Sequence, residues 1–404
     1  MRYKKAYYKV FSVVILLFFI SCTEEIDFKT ESFESALVID ATITNQLKQQ
    51  EVLLSRTFRF EEDGPNPETN AEVRIVSDNG EFNFQEIEDG KYISNTAFKA
   101  EPNSNYTLKV ITNNGRLYTS SSMQLTQATQ IDQLYAVRET NDLGVNGMAI
   151  YADSYDPTGN SKYYRYEYEE TYKIIAPKWV PEDIIVIDEF YPCTVSLVPK
   201  SQEEQVCYNT VNSKSINQTN TNALTEDRVT RHLVRFIDED NFIISHRYSI
   251  LLKQFIPSQQ AYTFYETLHH FSEEGSLLSQ VQPGFINSNV FSESNPNEKV
   301  LGFFDVSSVT FKRIYFNYRD FYPNENLPPF PVSCIPTGHS QFTNGNPPAC
   351  GSLITELLRD RVVYHHGASI TPDNTTIGPF LMVLRECGDC TALGNNAVPD
   401  FWEE

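Results

Sequence analysis

Long apolar runs, histidine and positive charge are all scarce in this 404-residue chain. The apolar run at residues 10–20 has eleven residues, well short of the roughly 20 that a helix needs to cross a bilayer core, so it cannot be an anchor helix. Lys and Arg number 32 against 53 Asp and Glu. A field of that sign repels phosphate backbones and anionic headgroups, which argues against nucleic-acid partners and polybasic membrane docking. The seven histidines offer no metal pair. His269 and His270 are adjacent and would diverge by about 100° on a helix, His365 and His366 would face opposite sides of a strand, and His246 falls on an apolar face. No Gly-x-Ser-x-Gly elbow, P-loop or Rossmann glycine pattern is present. With 17 Gly and 21 Pro the chain is neither collagen-like nor of low complexity. We therefore expect no catalytic residues, no metal and no cofactor.

What is there is a globular composition, 40% apolar and 13% aromatic, enough for one to three domains of core. Its N-terminus carries an address. A basic stretch at residues 1–9 and the apolar run lead to Ser21 and Cys22, the pattern of a signal peptide over residues 1–21. Phe19-Ile20-Ser21-Cys22 has the form of a lipobox, in which cleavage before Cys22 exposes a thiol for diacylglycerol and an amine for acylation. Burying each CH₂ is worth about 0.8 kcal/mol, so several acyl chains would hold Cys22 durably in outer-membrane lipid. Residues 22–35 read as a tether. Its cluster Thr23, Glu24, Glu25, Ile26 and Asp27 is similar to the surface-export signal of outer-membrane lipoproteins in Bacteroidetes-type bacteria, which would place the body outside the cell; a plain solvated tether is the alternative. Without the first 21 residues the balance is 28 basic to 53 acidic side chains.

Six further cysteines, Cys193, Cys207, Cys334, Cys350, Cys387 and Cys390, suit an exported protein with structural disulfides. Only a short polar segment separates Cys193 from Cys207, so that bridge is expected first. Cys387-Gly388-Asp389-Cys390 invites a redox reading, but a reactive CxxC needs a following helix N-terminus to stabilise thiolate, and Gly394, Asn395, Asn396 and Pro399 break the chain at once. A zinc site is weakly supported for want of a second CxxC. The acidic loops Asp153-Ser154-Tyr155-Asp156-Pro157 and Asp238-Glu239-Asp240-Asn241 lack the alternating ligand spacing of a calcium loop and read as turns.

The expected fold class is mainly β, with an N-terminal immunoglobulin- or fibronectin-III-like sandwich followed by a larger β-rich domain carrying one amphipathic helix. Residues 36–124 show short alternating strands at 37–44, 52–57, 72–76, 81–86, 91–94, 106–112 and 116–121, with Asn79-Gly80, Asp89-Gly90 and Asn114-Gly115 as hairpin turns. The segment 102–110 resembles a tyrosine corner, in which Tyr106 bonds a backbone group upstream; a carboxypeptidase-regulatory-like sandwich would share the pattern. Residues 125–404 form the second domain. Along residues 162–174, Tyr164, Tyr166, Tyr168, Tyr172 and Ile174 alternate with Arg165, Glu167, Glu169, Thr171 and Lys173, so the tyrosines should face a core rather than stack a ligand. Further strands are expected at 228–237, 242–256 and 299–318, the last bulged near Ser307-Ser308. A helix near 258–272 is signalled by the candidate N-cap Ser258, the stripe Ala261, Phe264, Tyr265, Leu268 and Phe271, and the stop Gly275, before a Cys-containing C-terminal segment.

In combination these pieces resemble the domain-of-unknown-function 4249 family of outer-membrane lipoproteins. The resemblance rests on the lipobox, Leu37-Val38-Ile39-Asp40, Asn105-Tyr106-Thr107-Leu108-Lys109-Val110, the residues 163–170 and Tyr248-Ser249-Ile250-Leu251. It continues through Gly275-Ser276-Leu277, Gln282-Pro283, Asn295-Pro296, Val300-Leu301-Gly302-Phe303-Phe304 and the ending Cys387-Gly388-Asp389-Cys390 to Trp402. Two positions depart from it. Gly388 stands where the family usually doubles the cysteine, and Ser288 precedes Asn289 where a glycine is usual. The resemblance implies no catalytic residues. It implies a surface lipoprotein commonly encoded beside TonB-dependent transporters and acting as an accessory or binding subunit in uptake of an unidentified ligand. The rival expectations are an adhesion or matrix-binding lipoprotein and a carboxylate-based hydrolase, the latter requiring two facing acids in one pocket.

Overall fold

The computed structural model describes residues 35–59, 62–273, 288–367, 369–370, 376–377 and 380–404. Cys22, the signal peptide, nearly all of the tether, the Gly275 stop and the Gly275-Ser276-Leu277 and Gln282-Pro283 motifs lie outside these residues. The chain is mainly β. In its N-terminal part, strands Leu37–Thr44, Glu51–Arg56, Lys91–Ser94, Gly80–Glu88, Glu72–Ser77, Asn105–Ile111 and Leu117–Ser120 follow one another across a continuous curved sheet. The asparagine- and aspartate-glycine turns close its hairpins, with Gly90 at φ +73° and Gly115 at φ +79°, the left-handed region that glycine enters without a Cβ clash. Alternate residues of these strands, among them Ile39, Ile43, Val73, Ile75, Leu108 and Val110, meet in one core.

The strand Val300–Asn317 ties this sheet to the rest. Its first eight residues pair in parallel with Leu37–Thr44, and from Ser308 onward it pairs antiparallel with Arg247–Ile256. The expected bulge near Ser307-Ser308 is instead a change of partner along an unbroken strand. Thr126 marks the handover, its Oγ1 accepting the Ser308 N–H at 3.0 Å. Residue 124 therefore does not divide the sheet, and the first core also takes in Ala261, Phe264, Phe303 and Phe304 from beyond it, while the second core lies wholly after it. Gly302 enables the crossing. It sits at φ +101°, and a Cβ there would stand 1.8 Å from the Ile39 carbonyl oxygen.

Beyond the bridging strand the sheet continues through Arg247–Ile256, Tyr163–Ile175 and Val206–Asn212. A second, three-stranded sheet, Ile131–Thr140, Asn146–Asp156 and Asp227–Asp238, shares a core with it. Tyr164, Tyr166, Tyr172 and Ile174 are buried there with Leu134, Met148, Ile150 and Ile237, so the tyrosine row is core. The Phe242-Ile243-Ile244 run, read as strand, is a 3-10 turn, because Asn241 accepts the Ile243 N–H at 3.2 Å and caps it. The strand begins at Arg247. The helix spans Gln259–Glu273; Ser258 Oγ accepts the Ala261 N–H at 3.1 Å, and Ala261 and Phe264 enter the N-terminal core. A shorter helix, Ser352–Leu358, was not anticipated.

The disulfides correct the expected pairing. Cys193 bonds Cys350, Cys207 bonds Cys390 and Cys334 bonds Cys387, with Cα separations of 5.8, 5.6 and 5.5 Å. The segment between Cys193 and Cys207 is not a free loop. Strands Glu182–Asp188 and Thr194–Pro199 form a hairpin with Cys193 near its tip, and six strand residues carry that tip roughly 20 Å from the hairpin base, whereas Cys207 lies within the second core. The two cysteines of the CxxC motif bond elsewhere rather than to each other. Gly388 is close-packed, since a Cβ would meet Val363 Cγ2 at 2.5 Å.

Candidate functional site

Where the two cores meet, the outer faces of several strands and the helix enclose a cleft of about 300 Å³. Period two places Asp40, Thr42 and Thr44 on the side of Leu37–Thr44 opposite its core residues, and Glu51 and Leu53 likewise on the neighbouring strand. Lys48 and Gln49 come from the connection between those strands. Arg165 and Glu167 come from the polar face of the tyrosine strand, Phe255 from the strand beside it, and Tyr265 from the helix.

Arg165 is the centre of the site. It is 8% exposed, and its guanidinium lies 4.4 Å from the Phe255 ring centroid and 4.8 Å from that of Tyr265. Nη1 is paired with Glu167. Nε, buried, has no hydrogen-bond partner among the described residues. A buried donor without an acceptor is costly and uncommon. Behind it, Asp305 of the bridging strand is fully buried and takes a hydrogen bond from Ser307 Oγ; burial raises its carboxyl above the ordinary range, while the Arg165 charge pulls it back. Asp40 is reachable from solvent but stands inside the concavity. Confinement raises its pKa, Arg165 opposes that, and Glu167 and Glu51 add to it. At the rim, partial burial and then Lys253 lower the Lys48 pKa. Burial pushes the Tyr265 hydroxyl up to about 12, so it stays a neutral donor and acceptor. The cleft can thus offer cationic donors, carboxylate acceptors and neutral hydroxyls to one small ligand.

Tyr106, the acidic loop at Asp156 and the CxxC segment, singled out from sequence, lie elsewhere and act structurally. Tyr106 Oη accepts the Glu101 N–H at 2.7 Å, closing a corner of the N-terminal sheet. Asp156 accepts from the Thr158, Asn160 and Ser161 amides; against the effect of burial these bonds hold its carboxyl down at about 2. Asp389 takes the Thr391 N–H and caps a turn. Among the described residues no group of three or more His, Cys, Asp and Glu could hold a metal ion. Arg165, Asp40, Asp305 and Lys48 were not anticipated. For the two aspartates the one signal was an acid inside an apolar strand, at Leu37-Val38-Ile39-Asp40 and again at Phe303-Phe304-Asp305-Val306.

Residues 23–313 match a protein-family profile described as "Domain of unknown function (DUF4249)". The matched span contains every residue of the cleft and ends within the bridging strand. No curated protein matches the chain.

Proposed function

The chain belongs to the DUF4249 family, and from that premise we propose that it is a surface-exposed, lipid-anchored outer-membrane protein acting as a non-enzymatic binding or accessory subunit, working with a TonB-dependent transporter in uptake. The observation that carries the binding role is the seam cleft, where a nearly buried guanidinium stands among carboxylates, hydroxyls and aromatic rings. The anchor is supported by Phe19-Ile20-Ser21-Cys22, the exported character by six cysteines joined in three disulfides, and the transporter by the family resemblance. The N-terminal strands contribute Asp40, Thr42 and Glu51 to the cleft, and an immunoglobulin-like parentage for them is supported by the Tyr106 corner.

Cys22→Ala should release the protein from the membrane fraction, and intact-mass measurement of the native protein should show an acylated N-terminus. An unmodified terminus with a free soluble pool overturns the anchor. Extraction in mild detergent from expressing cells should recover the transporter with it; repeated recovery of the lipoprotein alone overturns the partnership. A second reading, a carboxylate-based hydrolase, is favoured by one observation: Asp40, with its raised pKa, shares the cleft with Glu51 and Glu167. Release of new reducing ends from external polysaccharide, lost in Asp40→Asn, would put that reading first.

A further inference from the structure

The cleft's charge arrangement narrows the ligand. A net anion entering it faces Asp40, Glu51 and Glu167, with Asp305 behind the wall. A net cation faces Lys48 and Arg165, with Lys253 close to Lys48 and Lys91 held at 3.0 Å on Glu51. Every charge there already has one of opposite sign nearby, so neither sign of ligand gains a net attraction. What the walls suit is a ligand whose groups accept and donate from the same atom. The Arg165 guanidinium and Lys48 can donate, the carboxylates of Asp40 and of Glu167, the latter already paired with Arg165, can accept further donors, and Thr42, Thr44, Gln49 and Tyr265 can serve either way. A hydroxyl does both. Leu53, Phe255 and Tyr265 add apolar surface for the C–H face of a ring. The volume, about 300 Å³, is at the small end of ligand pockets and suits a single ring unit rather than a long chain.

We propose that the seam cleft binds a neutral saccharide unit, held by Arg165, Asp40, Glu167 and the rim residues Lys48 and Gln49. This rests on the reading of the chain as a binding subunit and supplies its ligand class. Arg165 sits on a strand of the second core and Asp40 on a strand of the first, so an occupant would touch both halves of the molecule at once.

The test uses the full chain purified in a detergent without sugar headgroups. Saturation-transfer NMR and calorimetry are run with glucose, galactose, mannose, maltose and cellobiose, with glucuronate and glucosamine as the charged comparators. At least one neutral sugar should bind and outcompete both charged ones, and Asp40→Asn or Lys48→Met should weaken it about tenfold, the effect of losing one or two hydrogen bonds to charged groups. Arg165→Met should abolish binding, with thermal unfolding run alongside; the exposed Gln49→Ala keeps the test decisive where the buried change fails to fold. Absence of binding by every neutral sugar, tighter binding of glucuronate or glucosamine, or unchanged affinity in Asp40→Asn, Lys48→Met and Gln49→Ala together overturns the proposal. The two readings fail separately. An acylated protein that binds no sugar loses the ligand class and keeps the anchor, and a sugar-binding protein with an unmodified N-terminus does the reverse.

Discussion

The N-terminal half closes a core without any covalent bridge, whereas the second half holds all three disulfides. The difference follows from how far apart in the chain the contacting residues lie. Between Glu72 and Ser120 three of the pairings join consecutive strands through short turns, so hydrophobic pattern and turn chemistry specify them locally, while Leu117–Ser120 also takes the distant Val290–Ser292 as a partner. The outlying parts of the second half have small cores. Among the described residues, one gathers Ile184, Leu353, Val362, Phe380 and Met382, and another gathers Val363, Val383 and Cys387 with Phe330, Val332 and Cys334 partly buried against them. Burial on that scale cannot offset the ordering of the surrounding loops. The Cys193–Cys350 and Cys334–Cys387 bridges supply the constraint there, closing separations of 157 and 53 residues, whereas Cys207–Cys390 ties the C-terminal segment into the larger second core across 183 residues. In those outlying parts cross-links substitute for core.

That contrast can be broken in stages. Replacing Cys207 and Cys390 by alanine should have the largest effect, about 3–5 kcal/mol for so long a loop. Urea unfolding followed by hydrogen exchange should show the loss in the second half, with the hairpins at residues 72–120 keeping their protection; equal loss in both halves would end the comparison. Next comes Gly302→Val. The left-handed backbone and the Ile39 carbonyl in the way should cost roughly 3 kcal/mol or more, read out as faster amide exchange along residues 37–44.

Acid should then act on the second half by two routes of opposite chemistry. Burial holds His232 neutral, its pKa lowered from 6.5 to about 4; Asn217 Oδ1 lies 2.6 Å from its Nε2 and Tyr166 stacks on its ring. The unfolded chain binds the proton more readily, so stability falls as pH drops from about 6.5 toward 4. Asp156, lowered from 3.8 to about 2, contributes stability above its unfolded pKa that is lost as pH falls through that lower range. His232→Gln should flatten the first slope and leave the second, measured as melting temperature against pH. The smallest effect belongs to the N-terminal half. Tyr106→Phe removes the bond to Glu101 N–H for about 1 kcal/mol, and a loss several times larger would mean that the corner, not the core, organises that sheet.

Legibility in the sequence tracks the same distinction. The N-terminal strands were readable because alternation and Asn-Gly or Asp-Gly turns act within a few residues, and the helix because Ser258 and a 3.6-residue stripe do so too. The run Phe242-Ile243-Ile244 misled because apolar content looks alike in a strand and in a capped turn. The bridge from Cys193 was misassigned because nearness in sequence was read as nearness in space, and a hairpin turned one into the other. Arg165 gave no notice of itself. Its alternation marked it as an outward-facing charge, and only the helix and the bridging strand's neighbours cover it.

The amino-acid sequence alone settled which segments extend, where they turn and which faces go inward, since those preferences come from side-chain alternation and local backbone sterics. Tertiary structure decided the cysteine partners, the strand shared between the halves and the charged cleft at their seam. Each of these depends on which distant segments become neighbours, and Asp40, Arg165 and Asp305 share a site only because one strand pairs in parallel on its first half and antiparallel on its second.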